Sequence, residues 1–272
     1  MNASRSLEGK VVLVTGAGRG IGATTAQLLA DRGAVVVATD SDERAAAALA
    51  AAIGSAGGRA HSRRLDVTDE DAWRDVMAWT LGSLDGLDGL VNNAGISVIS
   101  PLAMMRLEDF RTVFEVNVVG TFLGLKHAFL AMLERSSGRP AHGSIVNVSS
   151  VVGIKATANG SAYAGSKAAV RHLSKCAALE WAREGHQIRV NSVHPAITAT
   201  DMLTGELSEW AAHGTFGTHD VEETRTIVAR LQPLGRFVEP LEVARTIAFL
   251  LSDEASFTTG AEIPIDGGQL TS

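Results

Sequence analysis

The sequence predicts an α/β fold: a doubly wound sheet of seven parallel strands with helices on both faces. Two observations predict it. Short predicted strands alternate with helical segments along the chain, and the first strand, residues 10–15, is a continuous β-branched apolar run instead of an alternation of apolar and polar residues. Continuous apolar strands are typical of parallel sheets, which are buried on both faces. No linker rich in proline, serine or charge divides the chain, so residues 1–272 are expected to form one domain.

The elements follow one another without a break. Strands are predicted over residues 10–15, 34–39, 60–65, 89–91, 144–148, 188–193 and 262–265. Helices are predicted over residues 21–32, 43–53, from a start after residue 68, and over 107–133, 163–183 and 241–251. The first helix stops at Gly33, a common residue just past helix ends, and the long helix over 107–133 is expected to be interrupted near Asn117. Strands and helices in this order predict right-handed crossovers that cover both faces of the sheet.

Residues 200–232 form a less regular, polar stretch, which we interpret as a lid over a substrate site. Its apolar residues are Met202, Leu203, Leu207, Trp210, Phe216 and Val221. They favour an apolar, cyclic or aromatic substrate, although a lid that only packs against the domain would carry the same residues. The segment 151–161 is the second region expected to set specificity.

The composition excludes several classes of protein. Lysine and arginine total 24 against 30 aspartate and glutamate residues, and the net charge of −6 gives no basic footprint for nucleic acid. The single cysteine, Cys176, cannot form an internal disulfide and is expected in the core of its helix. The eight histidines are scattered, so no metal site is expected. No uncharged apolar run reaches the roughly 18 residues that span a bilayer, so we expect a cytoplasmic protein without a membrane partner.

Glycines cluster where the first strand meets the first helix, in residues 15–22, which read TGAGRGIG. Glycine lets the backbone approach a pyrophosphate, and a helix N-terminus offers unpaired N–H groups and the positive end of a dipole. The loop therefore predicts a dinucleotide site and the start of a Rossmann fold. Its predicted contacts are Gly16, Arg19, Gly20, Ile21 and Gly22. No Lys followed by Ser or Thr ends the loop, which disfavours a P-loop nucleotide hydrolase.

Asp40 stands at the end of the second predicted strand. An acidic side chain there can accept hydrogen bonds from the ribose hydroxyls of an adenosine and would repel a 2′-phosphate. The residue favours NAD over NADP. Arg19, which could pair with a phosphate, is the reason that NADP stays open as the less favoured cofactor.

Tyr163 and Lys167 are four residues apart in a helical segment, so they share one helix face. An unperturbed tyrosine has a pKa of about 10, too high for a base at neutral pH, but a nearby ammonium favours the phenolate. Tyr163 is the only tyrosine, and it follows a strand that ends in Ser149 and Ser150. Open α/β sheets bind ligands at this edge, so the pair is a candidate for acid-base chemistry.

Five motifs in register resemble the classical short-chain dehydrogenase/reductase family. They are the glycine loop of residues 15–22, the Asn92-Asn-Ala-Gly95 segment, Asn117, Ser149, and Tyr163-Ala-Gly-Ser-Lys167. The ending TGAEIPIDGG at residues 259–268 also resembles the family's last strand, and the resemblance extends over residues 7–268.

The resemblance implies a role for each catalytic residue. Tyr163 would be the general acid/base that exchanges a proton with the substrate oxygen. Ser149 would hydrogen-bond the same oxygen and stabilise its developing charge. Lys167 would lower the pKa of Tyr163 and bind the nicotinamide ribose, and Asn117 would hold a water that links Lys167 to solvent.

Cofactor contacts follow from the same resemblance. Asp66 and Val67 would flank the adenine, and the segment Asn93, Ala94 and Gly95 would lie on the adenosine side. Pro195, Thr198 and Thr200 would belong to the segment that binds the nicotinamide carboxamide. Two residues depart from the family pattern: Ala196 replaces the usual Gly and Thr198 the usual Ile or Val. Ala196 is expected to restrict the local turn.

The sequence thus predicts an NAD(H)-dependent oxidoreductase that interconverts a small secondary alcohol and its ketone. An NADPH-dependent 3-oxoacyl-thioester reductase remains an alternative, against which the net charge of −6 and Asp40 argue mildly. A cofactor-sensing module without turnover is a further alternative, but a sensor has no need of Tyr163 together with Lys167. The resemblance also implies a homotetramer.

Overall fold

A computed structural model of the protein describes residues 6–84 and 86–271. They form a seven-stranded, fully parallel sheet in the order β3-β2-β1-β4-β5-β6-β7. The strands are β1 (Val11–Thr15), β2 (Val35–Asp40), β3 (Arg59–Arg64), β4 (Gly89–Asn92), β5 (His142–Val148), β6 (Gln187–Pro195) and β7 (Glu262–Ile265). The predicted fold class is confirmed.

Helices cover both faces of this sheet. They are α1 (Gly20–Asp31), α2 (Glu43–Ser55), α3 (Glu70–Leu84), α4 (Leu107–Phe114), α5 (Gly120–Arg135), α6 (Ser161–Arg183), α7 (Asp201–Ala212), α8 (Val221–Ala229) and α9 (Pro240–Leu251). One apolar cluster joins α1, α2 and α9 to the sheet, and another joins α3, α5 and α6 to it. Every strand and helix predicted outside residues 200–232 lies within two residues of its predicted ends.

Strand β1 shows why continuous apolar strands belong in the middle of such a sheet. Val12 and Val14 pack in the cluster with α1 and α9, whereas Val11 and Leu13 pack in the cluster with α3 and α5. All four side chains are 5% exposed or less. Each contributes about 1.5–3 kcal/mol by leaving water, so β1 anchors the loop that follows it.

The order of strands reverses direction at β1. The chain runs outward from β1 to β3 and then returns to place β4 on the other side of β1. In open α/β sheets this reversal leaves a crevice beyond the carboxyl ends of the strands, and ligands bind there. The loops after β1, β4, β5 and β6 meet at this crevice.

The predicted interruption near Asn117 is a π-helical turn. Residues Glu115–Val119 form this turn and join α4 to α5. The segment Leu107–Arg135 contains an 18-residue window with a mean hydropathy of 1.5 and is long and apolar enough to cross a membrane by length and composition alone. However, 56% of its apolar window is buried inside the fold, and α5 packs on α3, β4 and β5. Packing against the sheet therefore accounts for its apolar character.

Two expectations are wrong. Residues 200–232 are not irregular, because they contain α7 and α8, whose facing sides meet at Leu203, Leu207 and Val228. Cys176 is exposed instead of buried. It lies on α6 two residues after the buried Ser174, and a two-residue step turns a side chain to the opposite face of a helix.

Candidate active site

A cavity of about 990 Å³ opens at the carboxyl ends of the strands. Nearly all the residues predicted for the site line it. They are Gly16, Arg19, Gly20, Ile21, Asp40, Asp66, Val67, Asn93, Ala94, Gly95, Ser149, Tyr163, Lys167, Pro195, Thr198 and Thr200. The remaining two lie behind its wall, Gly22 against Gly16 and Asn117 against Gly95. The structure therefore brings the predicted residues together in one place.

The glycine loop is shaped by close backbone contacts. Gly16 has a φ of +61°, and a Cβ there would lie 2.9 Å from the Cα of Ala94. A Cβ on Gly22 would lie 2.1 Å from the carbonyl oxygen of Gly16. Within the described chain no side chain caps α1, and its first turn has no acidic residue. A glycine cradle that leads into uncapped N–H groups fits the pyrophosphate of a dinucleotide.

Asp40 closes the end of β2 beside this loop. Its Oδ2 accepts a 2.9 Å hydrogen bond from the N–H of Gly18, and its Oδ1 accepts a 3.0 Å bond from the N–H of Asp42. The carboxylate thus lies where this fold binds the ribose hydroxyls of an adenosine. Arg19 is exposed at the same end of the cavity.

On the adenine side, the loop after β3 is fixed by its own hydrogen bonds. Asp66 Oδ1 accepts bonds of 3.0 Å and 2.7 Å from the N–H and hydroxyl of Thr68. Val67 is buried, and a Cβ on Gly120 would lie 2.7 Å from its methyl group. The loop is therefore held against α5 with both predicted residues at the cavity.

Asn93 ties the loop after β4 to the glycine loop. Its Nδ2 donates to the carbonyl oxygens of Thr15 and Gly16 at 2.9 Å and 3.1 Å. The Thr15 hydroxyl in turn accepts from the N–H groups of Asn93 and Ala94, both at 3.0 Å. Asn93 therefore holds the loop that would contact the cofactor.

The phenol of Tyr163 meets the hydroxyl of Ser150. Tyr163 lies in the first turn of α6, and its phenol is close enough to the side chain of Ser150, which follows β5, for that hydroxyl to lower the pKa of the phenol. The Ser150 hydroxyl also lies 3.4 Å from the carbonyl oxygen of Pro195. Its backbone carbonyl is 3.2 Å from Nδ1 of the fully buried His194. Ser150 and Tyr163 form a pair of hydroxyl groups at the floor of the cavity.

The structure corrects the prediction for Ser149. Its hydroxyl donates a 2.8 Å bond to the carbonyl oxygen of Lys167, and the residue is only 2% exposed. Successive side chains of an extended segment point to opposite sides, so only one of two adjacent serines can face Tyr163. That serine is Ser150.

Lys167 lies one turn along α6 from Tyr163. Its Nζ donates a 2.8 Å bond to the carbonyl oxygen of Val148, and the residue is 4% exposed. A Cβ on Gly95 would lie 3.3 Å from this Nζ and 3.1 Å from Oδ1 of Asn117. Gly95 therefore leaves the room that the ammonium and the amide occupy.

The amide of Asn117 connects three parts of the site. Its Nδ2 donates 2.9 Å bonds to the carbonyl oxygen of Ile96 and to the hydroxyl of Ser166, and its Oδ1 accepts a 2.9 Å bond from the N–H of Ile96. The π-helical turn thus holds the loop after β4 against α6.

Burial shifts the pKa values of Lys167 and Tyr163 in opposite directions. It lowers the pKa of Lys167 to about 8. Burial, followed by the negative charge of Glu206, raises the pKa of Tyr163 above its ordinary value, although the hydrogen bond with Ser150 lowers it. The depression of the Tyr163 pKa that was expected from Lys167 is absent in the protein alone. The reason is distance: Nζ lies 5.6 Å from the ring centre of Tyr163 and donates to the backbone instead.

The segment after β6 runs from the floor of the cavity to the lid. The hydroxyl of Thr198 donates a 2.9 Å bond to the carbonyl oxygen of Ala196. Ala196 itself donates from its N–H to Ile265 at 3.0 Å. A Cβ on Gly20 would lie 3.3 Å from a methyl carbon of Thr200. The base of the lid therefore touches the glycine loop.

The lid contributes part of its predicted apolar set to the cavity. The contributing residues are Met202, Leu203, Trp210 and Phe216. Leu207 instead packs in the lid's own core at 1% exposure, and Val221 is 38% exposed outside the cavity.

Glu206 also lines the cavity, and the sequence analysis missed it. The signal that could have found it is its spacing from Leu203 and Trp210, which has meaning only if residues 201–212 are helical.

Three comparisons place the chain among known proteins. The family model described as "Enoyl-(Acyl carrier protein) reductase" matches residues 16–269. The cyclopentanol dehydrogenase of Comamonas sp. (strain NCIMB 9872) is 40% identical over 260 residues, 95% of this chain and 96% of that protein.

Two further relatives also act on cyclic compounds by their names. The 2,5-dichloro-2,5-cyclohexadiene-1,4-diol dehydrogenase of Sphingobium indicum is 39% identical over 263 residues, 96% of this chain and 97% of that protein. The cis-4-hydroxycyclohexanecarboxylate dehydrogenase of Sinomonas cyclohexanicum is 42% identical over 260 residues, 95% and 96% of the two chains.

The crystal structure of levodione reductase superposes with a TM-score of 0.89 at 32% identity and covers 98% of this chain and 99% of that one. A doubly wound sheet with a glycine loop and a Tyr-Lys pair at its carboxyl edge defines an oxidoreductase that uses a nicotinamide cofactor. The chain belongs to the short-chain dehydrogenase/reductase family. The three relatives are named as dehydrogenases of compounds that carry hydroxyl groups.

Proposed function

We propose that this chain is an NAD(H)-dependent dehydrogenase that interconverts a cyclic secondary alcohol and its ketone. The observation that carries the proposal is the meeting of the Tyr163 phenol, the Ser150 hydroxyl and the Lys167 ammonium in one cavity. The apolar side chains that the lid turns toward this cavity, Trp210 and Phe216 among them, support an apolar ring as substrate. The names of the relatives support a cyclic alcohol.

Tyr163 and Ser150 would act together on the substrate oxygen. In oxidation, the ionised Tyr163 takes the proton of the alcohol, while Ser150 donates a hydrogen bond to the same oxygen. The bound nicotinamide supplies the acceptor for the hydride that leaves the carbinol carbon, so alcohol and NAD⁺ give ketone, NADH and one proton. In reduction, Tyr163 returns the proton to the carbonyl oxygen. General acid-base catalysis of this kind contributes roughly 10²- to 10⁴-fold.

Lys167 and Asn117 would support this chemistry without touching the reacting carbon. Lys167 would bind the ribose hydroxyls of the nicotinamide nucleotide, and its positive charge would favour the phenolate of Tyr163 in the complex with cofactor, not in the protein alone. Asn117 holds the loop after β4 against α6, and so keeps Gly95 and Lys167 in register.

The preference for NAD is inferred from Asp40. Its carboxylate would accept hydrogen bonds from the adenosine ribose, and its charge would repel a 2′-phosphate. The pyrophosphate would be held by the backbone of the glycine loop, and the adenine would lie beside Asp66 and Val67. The exposed Arg19 would then face solvent or the pyrophosphate.

A cofactor titration followed by a turnover screen tests the proposal. Purified protein is titrated with NADH and with NADPH, with nicotinamide fluorescence as the readout, and secondary alcohols are then screened with the preferred cofactor. Tighter binding of NADH together with oxidation of a cyclic alcohol is the expected result. Preference for NADPH with reduction of 3-oxoacyl thioesters would favour the reductase alternative, and binding without any turnover would favour a sensor.

We also propose a cytoplasmic homotetramer. Large apolar side chains are exposed on α6, on α9 and near the C-terminal strand, namely Leu179, Phe249 and Phe257, which supports association through these surfaces. Light scattering on the protein as it elutes from a size-exclusion column measures the mass of the oligomer. A monomeric mass would contradict the proposed homotetramer.

A further inference from the structure

Helix α7 turns one stripe of side chains toward the cavity. Met202, Leu203, Glu206 and Trp210 all line it, and their spacing of three to four residues puts them on one helix face. Trp210 makes an edge-to-face contact with Phe216 at 5.6 Å between ring centres. Glu206 is the charged member of this stripe, and Asp201, at the start of α7, also lines the cavity but is exposed.

Within residues 6–84 and 86–271, no ion pair joins the carboxyl of Glu206 to a lysine, arginine or histidine. Burial raises its pKa, the Ser97 hydroxyl lowers it, and Glu209 raises it further. A buried carboxylate without a positive partner is costly unless hydrogen-bond donors reach it. In a cavity built to take a substrate, such a group is positioned to receive a donor from that substrate.

Ser97 supplies the second observation. It belongs to the loop after β4, and its hydroxyl oxygen is buried without a well-formed hydrogen bond to any residue in 6–84 or 86–271. Ser97 lies beside the Glu206 carboxyl, but it does not line the cavity, so a ligand there reaches the carboxyl and not the hydroxyl. Because a buried polar group that stays unsatisfied costs about 1–3 kcal/mol, a ligand that donates a hydrogen bond to Glu206 is favoured over one that does not.

We propose that Glu206, positioned by the neighbouring Ser97, recognises a second hydroxyl group of the substrate, so that the preferred substrates are cyclic diols. This inference rests on the proposed alcohol dehydrogenase activity and narrows its substrate class. The Glu206 charge acts on Tyr163, so the second hydroxyl is bound within the same cavity as the one that is oxidised.

The same charge disfavours substrates that carry a carboxylate. Lys155 also lines the cavity, but it is exposed, whereas Glu206 is half-buried. Charges interact more strongly away from water, so the repulsion by Glu206 outweighs an attraction to Lys155. In this respect the chain is expected to differ from its relative that is named for a hydroxycyclohexanecarboxylate.

The test compares kcat/KM for cyclohexanol, for the cyclohexanediols and for cis-4-hydroxycyclohexanecarboxylate, with the preferred cofactor at saturation. In the wild type, the best diol is expected to exceed cyclohexanol at least tenfold, as a site built to bind a hydroxyl discriminates against its absence. Glu206→Met should reduce this ratio at least tenfold, Glu206→Gln should retain part of it, and Ser97→Ala should lower it. Both Glu206 variants should gain activity on the hydroxycarboxylate relative to cyclohexanol.

The ratio is the readout because it cancels the effect of Glu206 on Tyr163, which both substrates share. Glu222→Gln, which changes an exposed acid of α8 outside the cavity, is the control and should leave the ratio unchanged. A wild-type ratio near one, or a ratio that survives Glu206→Met, would overturn the proposal.

Binding separates this inference from the proposed function. If the wild type oxidises none of these alcohols, the proposed function fails, and calorimetry of diols with the enzyme-cofactor complex decides the recognition site alone. Diol binding that is lost in Glu206→Met supports the site. Absent or unchanged binding overturns it.

Discussion

The ammonium of Lys167 lies 5.6 Å from the ring centre of Tyr163 and donates its hydrogen bond to the carbonyl oxygen of Val148. Burial brings the two pKa values to a poor match for catalysis, because it lowers that of Lys167 to about 8 and raises that of Tyr163. The protein alone therefore keeps the phenol protonated at neutral pH. A positively charged nicotinamide bound beside the phenol would favour its ionisation, which links proton transfer to cofactor binding.

The two reaction directions are expected to differ in their dependence on pH. Oxidation needs the phenolate of Tyr163, whose pKa is raised. At saturating NAD⁺, kcat/KM for the alcohol should therefore rise with pH and level off above the pKa that Tyr163 has in the enzyme-NAD⁺ complex. Reduction needs the protonated phenol and should fall at alkaline pH instead. Rates measured between pH 5.5 and 9.5 in both directions check this, and an oxidation rate independent of pH over the whole range would contradict it.

Replacement of Tyr163 by Phe should lower turnover at least 100-fold, because it removes the proton-transfer group. Binding of NADH should change less than threefold, since the ring that remains fills the same space. Steady-state rates and a fluorescence titration on one preparation measure both effects. A variant that keeps more than a tenth of the wild-type rate would refute the assignment.

The two adjacent serines provide a matched pair of variants. Ser150→Ala should lower kcat by about 10²-fold, the effect of losing one donor to a developing oxyanion. Ser149→Ala loses only the bond to the Lys167 carbonyl and should cost about 1 kcal/mol in the free energy of unfolding, with less than a tenfold loss of rate. The reverse order of the two rates would restore Ser149 as the substrate-binding serine.

Asp40→Ala should change the cofactor preference. The variant loses hydrogen bonds to the adenosine ribose and the repulsion of a 2′-phosphate, so the ratio of kcat/KM for NAD⁺ over NADP⁺ should fall at least tenfold. Asp31→Ala, on the exposed end of α1, is the control and should keep the wild-type ratio. A wild type that already prefers NADP⁺ would show that Asp40 is misread.

Lys167→Met should stabilise the fold while it impairs catalysis. The pKa of Lys167 falls from 10.5 to about 8 on folding, so below pH 8 the fold bears the cost of a buried charge, about 3 kcal/mol. Loss of the bond to Val148 offsets about 1 kcal/mol of this gain.

The sign of this effect depends on pH. Between pH 8 and 10.5 the unfolded chain binds more protons at Lys167, so the wild type gains stability as pH rises and the advantage of Lys167→Met shrinks. Urea unfolding at pH 7 and pH 10 measures the difference. If Lys167→Met is less stable than the wild type at pH 7, the predicted cost of the buried Lys167 charge is wrong.

The sequence predicted the sheet well because central strands such as β1 and β2 are nearly continuous apolar runs, whereas the polar strand β3, RAHSRR, followed from its place in the alternation of strands and helices. It failed for α7 and α8, where exposed polar residues hide a narrow apolar stripe such as Leu203 and Leu207. Hydrophobic periodicity is weak where a helix covers a cavity instead of a core.

The candidate site was predicted in its membership more than in its geometry. The sequence could not show which of the adjacent residues Ser149 and Ser150 turns its hydroxyl toward Tyr163. That depends on which side of the chain faces α6 after β5 ends. Likewise, the pKa of Tyr163 depends on how far Nζ of Lys167 lies from the phenol and on the charge of Glu206, and neither follows from spacing along a helix.

The π-helical turn at residues 115–119 joins α4 to α5, and this continuous helical segment has two roles. It holds the Asn117 amide at the site, and it packs the apolar face of α5 against the sheet. Each residue of an α-helix turns the next side chain by about 100°, so deleting one residue here would rotate α5 against α4 by that angle. Either Asn117 would leave Ile96 and Ser166, or the apolar face of α5 would turn away from the sheet. We therefore expect this helix to accept substitutions far more readily than insertions or deletions, because the one extra residue of the π-helical turn lets the Asn117 amide reach Ile96 and Ser166 while the apolar face of α5 still packs on the sheet.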